Sequence, residues 1–191
     1  LFAPTELPTD EVCAMIPPAD AEAIVGVTLG EPSGMQAAGL ELNNGVPVDA
    51  GLRTEAEGIY AAGDITNQFH PFFNDRIRVE HLANARRQGF AAGRSMAGAE
   101  VIYDDLPYFF SDQYDVGMEY VGFASDWDEV VIRGSKENRE FIAFWLKDGR
   151  IQAGMNVNIW DVSETIGELI KSKRQIDLVA LADPDTDLAT I

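Results

Sequence analysis

From Pro107 onward the sequence breaks into five short runs of aromatic and β-branched residues: Tyr108–Tyr114, Met118–Phe123, Val130–Arg133, Phe141–Leu146 and Ile151–Val157. Gly134, Asp148-Gly149 and similar turn-forming residues separate them, and such spacing predicts an antiparallel sheet. A helix should follow. Asp161-Val162-Ser163-Glu164 has the spacing of a capping box, in which Asp161 accepts from a first-turn amide and Glu164 reaches back to the cap. Val162, Ile166, Leu169 and Ile170 then form an apolar face, and Lys171, Lys173 and Arg174 suit the negative end of the helix dipole.

Before Pro107 the pattern differs. Glu80 to Ala97 is rich in Ala, Leu, Gln and Arg. Leu82, Ala85, Gly89, Ala92 and Met96 recur at helical spacing, with Gly98 as the stop. Ala23–Val27 and Gly58–Ala62 suit buried strands. Leu40–Leu42 and Val46–Val48 flank Asn43-Asn44-Gly45, which predicts a tight turn between two short strands. Four prolines within Leu1–Asp20 predict an irregular segment over residues 1–22. The change of regime falls near Ala99–Leu106.

Composition removes several function classes. A hydrophobic share of 46% supports an ordinary core, so most of the chain should be ordered. A net charge of -18 argues against nonspecific binding to nucleic acid or an anionic membrane, which needs excess Lys and Arg. The lone cysteine, Cys13, excludes an internal disulfide or a C-x-x-C pair. No apolar run is long enough to span a bilayer and no signal peptide is evident, so the cytoplasm is the default expectation. The chain starts at Leu1 rather than Met, which suggests a fragment or a processed chain.

The chemistry concentrates at Leu52-Arg53-Thr54 and Gly58-Ile59-Tyr60-Ala61-Ala62-Gly63-Asp64. A strand ending in small residues lets a ligand approach the backbone, and a carboxylate there can accept from a sugar-like hydroxyl. Taken alone, the stretch is equally a strand followed by a tight turn. In combination with its neighbours it resembles the second flavin-contact motif of the FAD-dependent pyridine nucleotide reductases. Ile24–Val27 and Ala38–Asp49 look like that family's preceding strands and turn. Arg78-Val79-Glu80-His81-Leu82-Ala83-Asn84-Ala85 and Gln88-Gly89 match the following segment of ferredoxin, rubredoxin and putidaredoxin reductases and of apoptosis-inducing-factor-like proteins. Pro107-Tyr108-Phe109-Phe110-Ser111-Asp112-Gln113-Tyr114-Asp115 is similar to the opening of their C-terminal domain.

The resemblance implies an α/β remnant of an FAD/NAD-binding domain over 23–99, followed by an α+β C-terminal domain over 100–191 with an antiparallel sheet and flanking helices. It implies FAD as cofactor, NAD(P)H as donor in the complete enzyme and a ferredoxin-type iron–sulfur protein as acceptor. It places Gly63 and Asp64 at the ribityl chain, and Val79 in backbone contact with the flavin. Glu80 and His81 would lie near the isoalloxazine and nicotinamide, at the start of a helix whose unpaired N–H groups stabilise negative charge on the reduced ring. Phe110 would shield the ring where many relatives carry Trp, keeping the apolar face and losing the indole donor. No catalytic residue and no metal ligand is assigned, His70 being a loop residue without paired spacing.

Core packing is the better reading of Tyr108, Phe109 and Tyr114, and Trp127, Trp145 and Trp160 look like core or edge packing with no chemistry assigned. Arg76, Arg78, Arg86, Arg87 and Arg94 are either a solvated helix face or a patch that steers an acidic partner. No G-x-G-x-x-G turn occurs, so the flavin's pyrophosphate lacks its usual cradle and flavin binding by this chain alone should be weak. The alternative to a redox role is a non-catalytic dimerisation or interaction module, a possible homodimer, or an inactive truncation.

Overall fold

A computed structural model describes residues 39–191. The expected irregular segment 1–22, the strand at Ala23–Val27 and Cys13 lie outside the described residues.

The first part is a small three-stranded sheet. β1 (Val46–Val48) pairs parallel with β2 (Thr66–His70), and β2 pairs antiparallel with β3 (Asp75–Ile77). The expected hairpin at Asn43-Asn44-Gly45 is absent: Leu40–Leu42 forms no strand, although Asn44 and Gly45 do take positive φ. The bend instead delivers β1 to a parallel partner twenty residues on, which suits an α/β unit better than a hairpin. Gly58–Ala62 likewise forms no ladder strand. It makes an isolated bridge, Arg53 to Tyr60, and the chain passes through a 3₁₀ turn at Gly63–Ile65 into β2.

α1 (Leu82–Met96) follows and ends at Gly98, whose φ of 87° and N–H bond to Ser95 make the stop that the sequence predicts. Leu40, Val46, Val48, Leu52, Ala61, Ala91, Ala92 and Tyr103 close the apolar core of this part.

The second part is the predicted antiparallel sheet. β4 (Tyr108–Gln113), β5 (Val116–Gly122), β6 (Glu129–Ser135), β7 (Glu140–Lys147) and β8 (Arg150–Val157) lie in the order β4-β5-β8-β7-β6. α2 (Ser163–Ser172) and α3 (Leu178–Ala182) cover one face, burying Ile166, Leu169, Ile170 and Leu181 against Val121, Ile142 and Phe144. Each such aliphatic side chain contributes about 1.5–3 kcal/mol of burial. Gly154 permits the close approach, since a Cβ there would stand 2.6 Å from Ile166 Cγ2.

The expected capping box is not used. Asp161 takes φ 61°, Val162 is the cap residue, and no side chain caps α2. Ser163 turns to the sheet instead, its Oγ donating to Glu119 Oε2 at 2.7 Å. Asn156 and Tyr108 donate to the same carboxylate at 2.9 and 2.7 Å. Burial would raise the Glu119 pKa, but these three donors outweigh it and hold the group below its ordinary value. A charged hydrogen-bond cluster thus fixes the start of α2 in place of a cap.

The segment between the two parts is tied down by side chains of the first. Tyr103 N–H donates to Ala50 C=O at 2.8 Å, Gln68 Nε2 donates to Tyr103 C=O at 2.7 Å, and His70 Nε2 lies 3.1 Å from Asp105 C=O. Lys173, the left-handed residue that ends α2, donates from Nζ to Phe72 C=O and sits over the Phe72 ring. Among the described residues no helix is long and apolar enough to cross a membrane, and no group of three or more His, Cys, Asp or Glu could hold a metal.

Candidate functional site

Gly63 has φ 81°, a conformation that favours glycine, and a Cβ there would lie 3.3 Å from the Ala85 Cβ. The turn therefore rests directly on the first turn of α1. Its amide donates to Gln88 Oε1 at 2.8 Å, a buried bond that fixes how the turn sits. Asp64 is exposed, and among the described residues its carboxylate accepts no hydrogen bond; only its backbone C=O is engaged, by Arg78 Nε at 3.0 Å. A free carboxylate on a rigid turn is what holding a hydroxyl-bearing chain requires.

The other half of the site is the start of α1. His81 is the cap residue, in extended conformation, and among the described residues no side chain caps the helix. The first backbone bond runs from Ala85 N–H to His81 C=O, so the amides before it point outward with the positive end of the dipole. Val79 is buried, with its carbonyl accepting from Asn84 Nδ2 at 3.1 Å. Glu80 is exposed and pairs with Arg78 at 2.6 Å. In that exposed setting the pair adds little stability.

His81 joins the two halves and reaches the second sheet. Its ring lies 4.6 Å from the Phe109 ring, which stacks 5.1 Å from Tyr120, itself 5.8 Å from Trp145. Burial lowers the His81 pKa, and the nearby Asp64 and Glu80 carboxylates partly oppose that shift. The imidazole is thus held neutral near pH 7, with a buried Nδ1 that has no partner among the described residues.

Gly63, Asp64, Val79, Glu80 and His81 therefore share one corner of the molecule, where α1 meets β4. Phe110 is placed differently. It follows Phe109 along β4, so its side chain takes the opposite face, beside Glu119, and is 61% exposed. Phe109 is the ring that touches the site, although its sequence reads as core packing rather than as a site residue. The missed signal was the alternation along β4: if one of two neighbouring Phe residues meets His81, the other cannot. Tyr114, at the tip of the β4–β5 turn, is fully exposed and belongs to no core. Of the five arginines, Arg76 is committed to backbone carbonyls of Val48 and Asn67, Arg78 to Glu80, and Arg87 to Asp105 at 3.7 Å. Arg86 and Arg94 remain exposed and unpaired among the described residues.

A parallel β pair and helix carrying a glycine turn, joined to a five-stranded antiparallel sheet, define the class: a nucleotide-binding α/β portion followed by a reductase C-terminal domain. The comparisons with known proteins agree. The family described as Pyridine nucleotide-disulphide oxidoreductase matches residues 23–89, and that described as Reductase C-terminal matches residues 108–191. The ferredoxin–NAD(+) reductase component of the anthranilate 1,2-dioxygenase system of Burkholderia cepacia is 37% identical over 81% of this chain and 38% of its own length. Putidaredoxin reductase CamA of Pseudomonas putida is 33% identical over 64% of this chain and 29% of its own. The crystal structure of the ferredoxin reductase for the CYP199A2 system from Rhodopseudomonas palustris superposes with a TM-score of 0.77 at 31% identity, covering 85% of this chain and 41% of that one.

The chain belongs to the FAD-dependent ferredoxin reductase family and corresponds to the C-terminal portion of its members. It spans less than half the length of the relatives it matches. With one cysteine in the whole sequence, it carries no redox disulfide of its own.

Proposed function

We propose that this chain is the C-terminal part of an FAD-dependent NAD(P)H:ferredoxin oxidoreductase, with its share of the flavin site at the corner of Gly63, Asp64 and the start of α1. The observation that carries this reading is an uncapped 15-residue helix whose outward amides stand beside a glycine turn with a free carboxylate. The residues present fit a flavin: an apolar-walled corner with one acceptor, several backbone donors and an unpartnered buried imidazole nitrogen. FAD, when bound, supplies the chemistry by accepting hydride from a nicotinamide and releasing single electrons to a one-electron acceptor.

The chain's own residues bind and tune. Asp64 accepts from the ribityl hydroxyls, and Gly63 lets the backbone come close. The start of α1 places positive potential where the reduced ring carries negative charge, with Val79, Glu80 and His81 lining its approach. Phe109 backs the imidazole and keeps water from that side, while Phe110 presents an apolar face to whatever lies over β4. The change from a three-stranded to a five-stranded sheet supports a division into 23–99 and 100–191. A ferredoxin-type iron–sulfur protein is the acceptor class, in line with the names of the relatives, and the exposed Arg86 and Arg94 suit an acidic partner. The cytoplasm is the compartment in which such a partner would be met.

Flavin binding tests this. The chain, which lacks a G-x-G-x-x-G turn, should take up FAD weakly, seen as quenched flavin fluorescence and a shifted visible band, and Asp64→Ala should weaken it further. Absence of any flavin binding, together with a colourless dimer in light scattering, would favour the dimerisation module.

A further inference from the structure

Behind the site lies a chain of buried side-chain hydrogen bonds. Gln88 is 2% exposed, and its Oε1 accepts the Gly63 N–H at 2.8 Å and lies 3.0 Å from Thr66 Oγ1, whose single proton is shared between it and the Gly63 C=O at 2.8 Å. Its Nε2 donates to Gln68 Oε1 at 2.9 Å, and Gln68 Nε2 donates to Tyr103 C=O at 2.7 Å. From the same Tyr103 the phenol donates to Asn84 Oδ1 at 3.1 Å, and Asn84 Nδ2 donates to Val79 C=O at 3.1 Å.

Chemistry fixes the sense of every bond. Tyr103 C=O can only accept, so Gln68 must turn its nitrogen towards it and its oxygen towards Gln88. Gln88 must then face Gln68 with nitrogen and Gly63 with oxygen. Val79 C=O orients Asn84 in the same way. The chain of bonds has one allowed polarity, and its two ends are the backbone at Gly63 and the backbone at Val79.

We propose that Gln88 is a positioning residue for the flavin: through this one-way relay it sets the Gly63–Asp64 turn in register with the Val79 segment. The inference rests on the flavin reading above. Gln88 touches no ligand. By drawing the Gly63 amide back towards α1, it leaves the Asp64 carboxylate as the polar group that the turn offers forward. By running through Tyr103, the relay ties that register to the segment leading into β4, and so to Phe109.

The test uses the charge-dependent mimic Gln88→Glu. A protonated carboxyl reproduces the pattern, accepting from Gly63 and Thr66 and donating to Gln68, whereas the ionised form turns an acceptor against the Gln68 oxygen. FAD titrations of the wild-type and Gln88→Glu chains across pH, followed by flavin fluorescence and the shape of the visible band, should coincide at acidic pH. They should separate by roughly tenfold or more as pH rises, the factor expected when a buried polar pair is broken. Gln88→Met, which cannot make the bonds, should bind weakly at every pH. Far-UV circular dichroism runs in parallel. A Gln88→Glu chain that binds FAD like wild type at all pH values, or one whose loss of binding tracks loss of helix signal, overturns the positioning role and leaves the flavin reading standing. A wild-type chain that binds no flavin overturns both.

Discussion

Gly63→Ala separates the two physical reasons for a glycine in the site's turn. An L-residue forced to the φ of 81° seen here costs about 1–2 kcal/mol in backbone energy. The new methyl would also meet the Ala85 Cβ at 3.3 Å, a contact that a shift of a few tenths of an ångström relieves. Backbone strain should therefore dominate. Ala85→Gly alone should cost about 0.5–1 kcal/mol in helix stability. The double variant should be destabilised by nearly the sum of the two, with a coupling below about 0.5 kcal/mol. Urea unfolding with linear extrapolation measures all three differences. A Gly63→Ala protein as stable as wild type would refute the strain argument. So would full rescue by Ala85→Gly, because relieving the contact leaves φ unchanged.

Three further perturbations probe the surroundings. His70 is buried with Nε2 at Asp105 C=O. Burial lowers its pKa below the ordinary 6.5, opposed by that backbone bond and by the Asp104 and Asp105 carboxylates. The unfolded chain then takes up the proton first, so stability is full above pH 6.5 and declines as pH falls towards the folded pKa. His70→Gln keeps a donor for Asp105 and should remove that share of the decline; identical pH dependence in paired denaturation curves would contradict the assignment. Phe109→Ala opens the His81 ring to water and should move its pKa up towards the ordinary value, as read from imidazole proton shifts; an unchanged titration would mean that Phe109 does not bury it. Arg133, buried in the second sheet, donates to the carbonyls of Ala180, Leu181, Asp183, Pro184 and Thr186. Arg133→Met should destabilise this C-terminal segment by about 2–4 kcal/mol, given the strength of charged hydrogen bonds. Hydrogen exchange should speed up over 178–190, and uniform protection there would count against the clamp.

The second sheet was nearly complete in the sequence. Tyr108–Tyr114 became β4 over Tyr108–Gln113, and Phe141–Leu146 became β7 over Glu140–Lys147. Alternating apolar runs between turn residues leave few other ways to bury their faces. The first part was harder, because the identity of a strand depends on its partner. Thr66–His70 is polar and His70 reads as a loop residue, yet it is the central strand, with Gln68 and the His70 Nε2 engaged by the segment at Tyr103 and Asp105. Gly58–Ala62 looks like a strand and finds no ladder. The cap of α2 is not legible locally, because Asp161 takes a left-handed φ of 61° and Val162 becomes the cap residue, while Glu119, distant in sequence, holds Ser163. The site's convergence was legible through family resemblance. Which Phe of the pair faces it was not, since that needs the register of β4 against β5.

Amide chemical-shift mapping during an FAD titration tests the central claim most directly. The amides of Gly63, Asp64, Leu82 and Ala83 should move together along one binding isotherm, with smaller shifts at Phe109 and none on α3. Shifts confined to the second sheet, or separate isotherms for the turn and the start of α1, would contradict a single flavin-facing corner.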